Sequence, residues 1–247
     1  MLSFLRILKK RFYRFLVKCL EISPSFKERY DFYPLQRFEH ILNRCDRSLT
    51  NFNSVLEFGC GEGRLIQNVI NLIPEAEIYG CDVIQELVDQ CKRKFPRGHF
   101  IHNDVKPPID FNDNQFDLIY TYSVFTHLTE SNHVAWLKEF SRILKPGGVM
   151  IHSVKSYQFV RRAKLFSPGN ISPHLISEPY EEFEAKHPYH YVIDNPKTPE
   201  YGLTTISKQY IQTKWPDYAK MEIIEYAEGF IEAYPEGCHD LVLLYKS

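Results

Sequence analysis

The sequence predicts an α/β protein: a mostly parallel sheet covered by helices on both faces, with a helical extension at the N-terminus. Three observations carry this. From residue 53 onward, short apolar runs alternate with segments of helical period. A glycine-rich turn joins the first apolar run to the first of those helices. Near the C-terminus the rhythm ends in two strand-like runs rather than another strand and helix. Parallel strands need crossover connections, which helices supply by packing right-handedly on either face of the sheet.

Residues 1–50 precede this rhythm. Over residues 3–20, Leu5, Leu8, Phe12, Phe15, Leu16, Cys19 and Leu20 recur with helical period, and Arg6, Lys10, Arg14 and Lys18 form a basic stripe. Two readings of this helix stay open. Its apolar face docks on the domain or on a second subunit of a homodimer, or its stripe lies on anionic lipid with Phe4, Phe12 and Phe15 inserted. A second helix is expected after Pro34, with Leu35, Phe38, Ile41 and Leu42 on one face.

Residues 51–247 then read as the main domain. Strands are expected over 54–58, 77–81, 99–102, 116–122 and 149–154, with helices over 63–73, 84–95 and 130–143. Between residues 155 and 206 six of the fifteen prolines and the cluster His187, Pro188, Tyr189, His190, Tyr191 break the pattern. A structureless run of that length inside a compact domain is a functional lid or an excursion with short helices. A helix over 207–215 follows, then strands over 221–227 and 240–246. The last two are joined too closely for a crossover helix and read as an antiparallel hairpin on the sheet edge.

Composition narrows the class. With 44% hydrophobic and 25% charged residues in 247, the chain is ordinary globular material rather than disordered. A net charge of −1 gives no reason to expect a nucleic-acid partner. No apolar run approaches the roughly 20 residues that span a bilayer, and charges interrupt the N-terminal apolar residues too often for a secretory signal. The six cysteines form no C-x-x-C pair and no zinc-ligand spacing, so they read as reduced thiols and no metal is expected. The expected location is the cytoplasm, peripheral to the membrane under the lipid reading of residues 3–20.

The chemistry gathers at strand ends. Gly59-Cys60-Gly61-Glu62-Gly63 sits where the first strand turns into a helix, and glycines there permit positive φ and close backbone approach to a ligand. The nicotinamide-dinucleotide fingerprint needs G-x-G-x-x-G, and Arg64 occupies its last position. Asp82 closes the second strand, 23 residues after Gly59, where a carboxylate can accept from ribose hydroxyls. Asp104 follows the third strand after Asn103 and can accept from an adenine amino group, and Glu57 faces the same crevice.

These residues resemble the class I S-adenosylmethionine-dependent methyltransferases. The matching stretches are residues 55–63, 78–82, 103–104, 116–120, 123–128 and 144–148, in the family's order. Tyr201-Gly202, Trp215 and residues 239–243 are similar to a bacterial small-molecule and glycan-associated branch, with His239 standing where a Gln is common. The resemblance implies a Rossmann-like seven-stranded sheet with its last strand antiparallel, and S-adenosylmethionine as cofactor. It places Gly59, Cys60, Gly61 and Gly63 around the methionine part, Asp82 and Val83 at the ribose, Asn103, Asp104 and Val105 at adenine, and Tyr122 and Ser123 near the sulfonium. Glu57 suits the cofactor's ammonium group.

The implied reaction moves a methyl group to a hydroxyl, ahead of an amine, of a small molecule or a glycan or lipid intermediate. A hydroxyl must lose its proton during transfer, so a base is needed. His127, just after the fourth strand, leads; His152 and His239 follow, then His187 and His190. The Asn/Asp-Pro-Pro-Tyr motif of nucleobase amino methylators is absent where Tyr120-Thr121-Tyr122-Ser123 stands. The competing class is a non-catalytic binding or scaffold module; loss of Asp82 or a glycine would have favoured it, and both are present.

Overall fold

Helix α1 (Phe26–Asn43) opens the computed structural model, which describes residues 26–159, 180–193, 195–229 and 239–247. The helix expected over residues 3–20, with its lipid and dimer readings, lies outside the described residues. Pro34 falls inside α1, not before it, so the helix starts earlier than the proline suggested. Leu35, Phe38, Ile41 and Leu42 are all buried, as their spacing predicts. They pack in one cluster with Val55, Leu118 and Ile151 of the sheet, so no packing boundary separates α1 from the domain near residue 50.

The main domain follows in order: β1 (Ser54–Phe58), α2 (Arg64–Leu72), β2 (Glu77–Asp82), α3 (Gln85–Lys94), β3 (His99–His102), β4 (Phe116–Thr121), α4 (Glu130–Ile143) and β5 (Leu144–Val154). Then come α5 (Tyr180–Lys186), β6 (Tyr189–Ile193), β7 (Gly202–Ile206), α6 (Lys208–Ala219), β8 (Glu222–Ala227) and β9 (Asp240–Tyr245). Side-chain caps fix two helix starts. Thr129 accepts from the Asn132 N–H ahead of α4, and Ser207 from the Tyr210 N–H ahead of α6.

Seven strands form one sheet in the order β3-β2-β1-β4-β5-β9-β8. The first five run parallel, and β9 lies antiparallel between β5 and β8. Burial alternates strictly between the two faces. Val55, Leu118, Tyr120, Val149, Ile151, Leu241 and Leu243 join α1, α2 and α3 in one cluster. Leu56, Phe116, Ile119, Met150, Val242 and Leu244 join α4 and α6 in the other. The sheet is therefore buried on both sides, which is why its strands read as apolar runs.

The stretch expected to be structureless or to hold short helices also contains a β-hairpin. Strands β6 and β7 pair antiparallel from Tyr189↔Ile206 to Ile193↔Gly202. The β-branched and aromatic content of residues 189–193 and 202–206 favours strands, and the intervening prolines confine the turn. Residues 160–179 of this stretch lie outside the described residues. Among the described residues no helix is long and apolar enough to cross a membrane, and no cluster of His, Cys, Asp or Glu could hold a metal ion.

Candidate active site

The glycine turn after β1 needs glycine for reasons of space and torsion together. Gly59, Gly61 and Gly63 have φ of +79°, +56° and +73°. A Cβ on Gly59 would stand 2.4 Å from Val124 Cγ2, and one on Gly63 would stand 2.3 Å from Phe95 Cε2. One expectation needs correction: these N–H groups are not the ligand's donors. Gly59 and Cys60 both donate to the Cys81 carbonyl, Gly63 to that of Cys60, and Gly61 to Asp82 Oδ2. Cys60 is corrected with them, because its N–H is engaged and its thiol is buried against Cys91. The turn offers close approach and a helix N-terminus instead.

Asp82 is 7% exposed at the end of β2. Its oxygens accept the Gly61 N–H at 2.9 Å and the Ile84 N–H at 3.0 Å, so it ties the glycine turn to the start of α3. A carboxylate has about four acceptor sites, which leaves room for hydroxyls as well. Val83 and Val105, which follow β2 and β3, are large apolar side chains left exposed at 46% and 42%. Between them Asn103 is buried, with its Nδ2 on the Asp104 carbonyl and no partner for Oδ1. The strand ends thus present two apolar surfaces and an unanswered acceptor, which suits a flat ring bearing an amino group.

Glu57 is the electrostatic centre. It is buried on the α1–α3 face of β1 and accepts the Tyr120 hydroxyl at 3.1 Å. Burial pushes its carboxyl up to about 8, against the opposing pull of the Tyr120 bond and of the Arg64 charge. Tyr122 continues this face, with its ring 6.2 Å from Phe38, 5.5 Å from His239 and 6.0 Å from the Arg64 guanidinium. Ser123 has φ +61° and donates its N–H to Ser153 Oγ at 2.7 Å, which sets the turn after β4.

The histidines part company. His127 is half-buried, with Nδ1 2.7 Å from the Gly202 carbonyl and its ring stacked on Tyr201 at 4.6 Å and 9°. A carbonyl only accepts, so Nδ1 carries the proton and the lone pair is on Nε2. His152 is fully buried on the opposite face, stacked on Phe125 and Phe140 with Trp215 edge-on. Burial holds it down to about 3. Even-numbered positions of β5 point to α4 and α6, so His152 belongs to the core and has no route to an acceptor. His239 is 2% exposed, neither ring nitrogen has a partner among the described residues, and burial ahead of nearby positive charges holds it well below its ordinary value. His187 and His190 stack on Phe183 at the hairpin.

Sequence reasoning missed Arg37, Lys155 and Tyr201. The alternation could have found Lys155, which continues the odd-numbered face of β5 past Val154, and the α1 stripe could have found Arg37, four residues before Ile41.

Comparison with known proteins agrees with this geometry. Residues 55–148 match the family model of the methyltransferase domain. An uncharacterized methyltransferase of Schizosaccharomyces pombe is 31% identical over 106 residues, which is 38% of this chain and 37% of that protein. The chain thus spans little more than a third of that relative's length. Among solved structures, a Burkholderia thailandensis 1,6-didemethyltoxoflavin-N1-methyltransferase with bound 1,6-didemethyltoxoflavin and S-adenosylhomocysteine superposes with a TM-score of 0.58 at 13% identity, over 99% of this chain and 89% of that one. A Pyrococcus horikoshii protein gives 0.59 at 17% identity, over 96% and 99%. Identities this low speak for the fold.

Proposed function

We infer that this chain, with its methyltransferase domain, moves a methyl group from S-adenosylmethionine to a hydroxyl, ahead of an amine, of a small molecule or a glycan or lipid intermediate. The observation that carries the reading is Glu57: a buried carboxyl beside three positive-φ glycines, with only the Tyr120 hydroxyl as its hydrogen-bond partner. Such a group is a ready partner for an ammonium.

The residues divide the cofactor between them. Glu57 would hold its ammonium, and the glycine turn would let the backbone come close to its methionine part. Asp82 would take the ribose hydroxyls. Val83 and Val105 would cover the adenine faces, with Asn103 Oδ1 and Asp104 available to its amino group. The Tyr122 ring suits a neighbouring cation. When bound, S-adenosylmethionine supplies an electrophilic methyl group that is displaced in line, so positioning provides much of the acceleration.

The chain's own part in the reaction is to hold the acceptor and take its proton. His127 is placed for the second task, since its Nδ1–H bond to Gly202 fixes a neutral tautomer with its basic lone pair on Nε2. Tyr201 holds that ring by stacking. The β6–β7 hairpin stands next to His127 and would wall the acceptor side, as the lid reading of residues 155–206 expects.

Thermal melts test the cofactor assignment. S-adenosylmethionine and S-adenosylhomocysteine should raise the midpoint, while NAD and ATP should not. Saturation at 100 Kd adds about 2.7 kcal/mol. No shift with either sulfur nucleotide would end the reading. Labelled-methyl transfer into a cell extract, with identification of the labelled product, then decides between oxygen and nitrogen acceptors.

A further inference from the structure

Basic side chains gather beside the ring of Tyr122 in a way that the cofactor does not explain. Arg37 of α1 is 6% exposed and donates to the His239 carbonyl at 2.6 Å. Lys155, directly after β5, is 4% exposed, with Nζ 5.2 Å from the Phe159 ring centre. The His239 ring lies between, 6.0 Å from Phe159 and 5.5 Å from Tyr122. Arg64 approaches Tyr122 from the glycine turn. Val154 pairs with Asp240, so Lys155 and His239 leave the same end of the sheet together, on the α1–α3 face.

Local acids do not neutralise this group. Glu57 stays largely protonated at neutral pH because burial raises it. Asp240 turns away, taking the Tyr226 hydroxyl on one oxygen and the Gly229 N–H on the other. Meanwhile S-adenosylmethionine is itself a net cation: its carboxylate and ammonium cancel and the sulfonium remains. Its one carboxylate can be met by Arg64 at the turn. Bringing a cation beside Arg37 and Lys155 calls for an anion from elsewhere. The two bare nitrogens of buried His239 make the same demand, since a buried polar atom without a partner is costly until a ligand supplies one.

We propose that Arg37, Lys155 and His239, against the Tyr122 ring, bind an oxyanion (a carboxylate or a phosphate) carried by the methyl acceptor, so that the substrate is an anionic molecule. This rests on the methyltransferase reading and narrows its substrate class. An anchored oxyanion at this edge of the sheet would hold the acceptor while His127, on the loop after β4, serves its reacting hydroxyl.

Calorimetry on the full chain tests it, with inorganic phosphate and succinate as probes and the protein saturated with S-adenosylhomocysteine. A probe should bind the saturated wild type. It should bind about tenfold more weakly to Lys155→Gln, as expected for one lost charge-assisted hydrogen bond. His239→Phe keeps the ring packing, deletes both nitrogens and should show a similar loss, so the test survives if the lysine variant does not fold. S-adenosylhomocysteine affinity should stay within about threefold in both variants, since neither residue is assigned to the cofactor. Three results overturn the proposal: no probe binding to the saturated protein, binding that S-adenosylhomocysteine displaces, or equal binding by wild type and variants, which would mean an adventitious ion only. If S-adenosylhomocysteine itself fails to bind, the cofactor reading falls first and this one falls with it.

Discussion

Cofactor binding should release a proton, and Glu57 is the reason. Its carboxyl lies near 8 in the free protein because burial disfavours the anion. At pH 7 such a group is about nine-tenths protonated, and at pH 9 about one-tenth. An ammonium placed against it would pull it back toward the ordinary carboxylate range. Binding at pH 7 should then expel about 0.9 proton, falling to about 0.1 at pH 9. The assay is calorimetry of S-adenosylhomocysteine binding in two buffers of very different ionisation enthalpy. The apparent enthalpies should differ at pH 7 and converge at pH 9. Glu57→Gln keeps an acceptor for the Tyr120 hydroxyl but cannot ionise, so the buffer dependence should vanish in it. The sign also shows in the free protein. The folded value is raised above the unfolded 4.5, so Glu57 contributes stability that is full at low pH and is lost as pH rises toward 8. Identical enthalpies in both buffers at pH 7 would refute the assignment of Glu57 to the ammonium.

Gly59→Ala should lower the urea midpoint. The left-handed backbone alone costs about 1–2 kcal/mol, and the new Cβ meets Val124; Gly59→Ala with Val124→Ala should recover the contact part only. Asp82→Asn should weaken S-adenosylmethionine binding about tenfold by calorimetry and also lower stability, because it disturbs the acceptors of the Gly61 and Ile84 N–H groups. Unchanged affinity would remove the ribose role. His127→Ala should keep cofactor affinity within about threefold while lowering kcat by about 10²–10⁴; an equal loss of affinity would make it a structural residue. His152 is depressed to about 3 when folded, so its contribution is present above its unfolded value and is lost as pH falls through the folded one. Urea melts between pH 6 and 4 should show a shallower loss of stability in His152→Gln than in wild type.

Strand and helix positions were legible where local and tertiary forces agree. β1, β3 and α4 lie where the alternation and Thr129 place them, because both faces of the sheet are buried and each run must be apolar throughout. The start of α1 was misjudged, since Pro34 looks like a boundary and the helix accommodates it. Asp82 and the glycines were visible from spacing, but the engagement of their N–H groups was not, because it depends on the Cys81 carbonyl one strand away. Histidine was the hard case. Parity along β5 separates His152 from Lys155, yet the residue type alone drew attention to the wrong one.

The pairing of the β6–β7 hairpin with the loop after β4 has a dynamic consequence. Gly202 donates to the His127 carbonyl at 3.1 Å, Thr204 to that of Thr126 at 2.9 Å, and the Tyr189 hydroxyl to that of Leu128 at 2.9 Å. Asn132 of α4 reaches Glu200 at 2.9 Å in the turn. Hairpin and loop therefore form one cooperative unit, and opening either exposes the backbone of the other. Their amides should exchange with solvent together, slower than a loose flap and faster than β1 and β4. A chimera that imports another protein's segment between β5 and α6 would then inherit a free His127 ring along with a new acceptor wall, and would need the Thr126–Leu128 stretch transplanted with it.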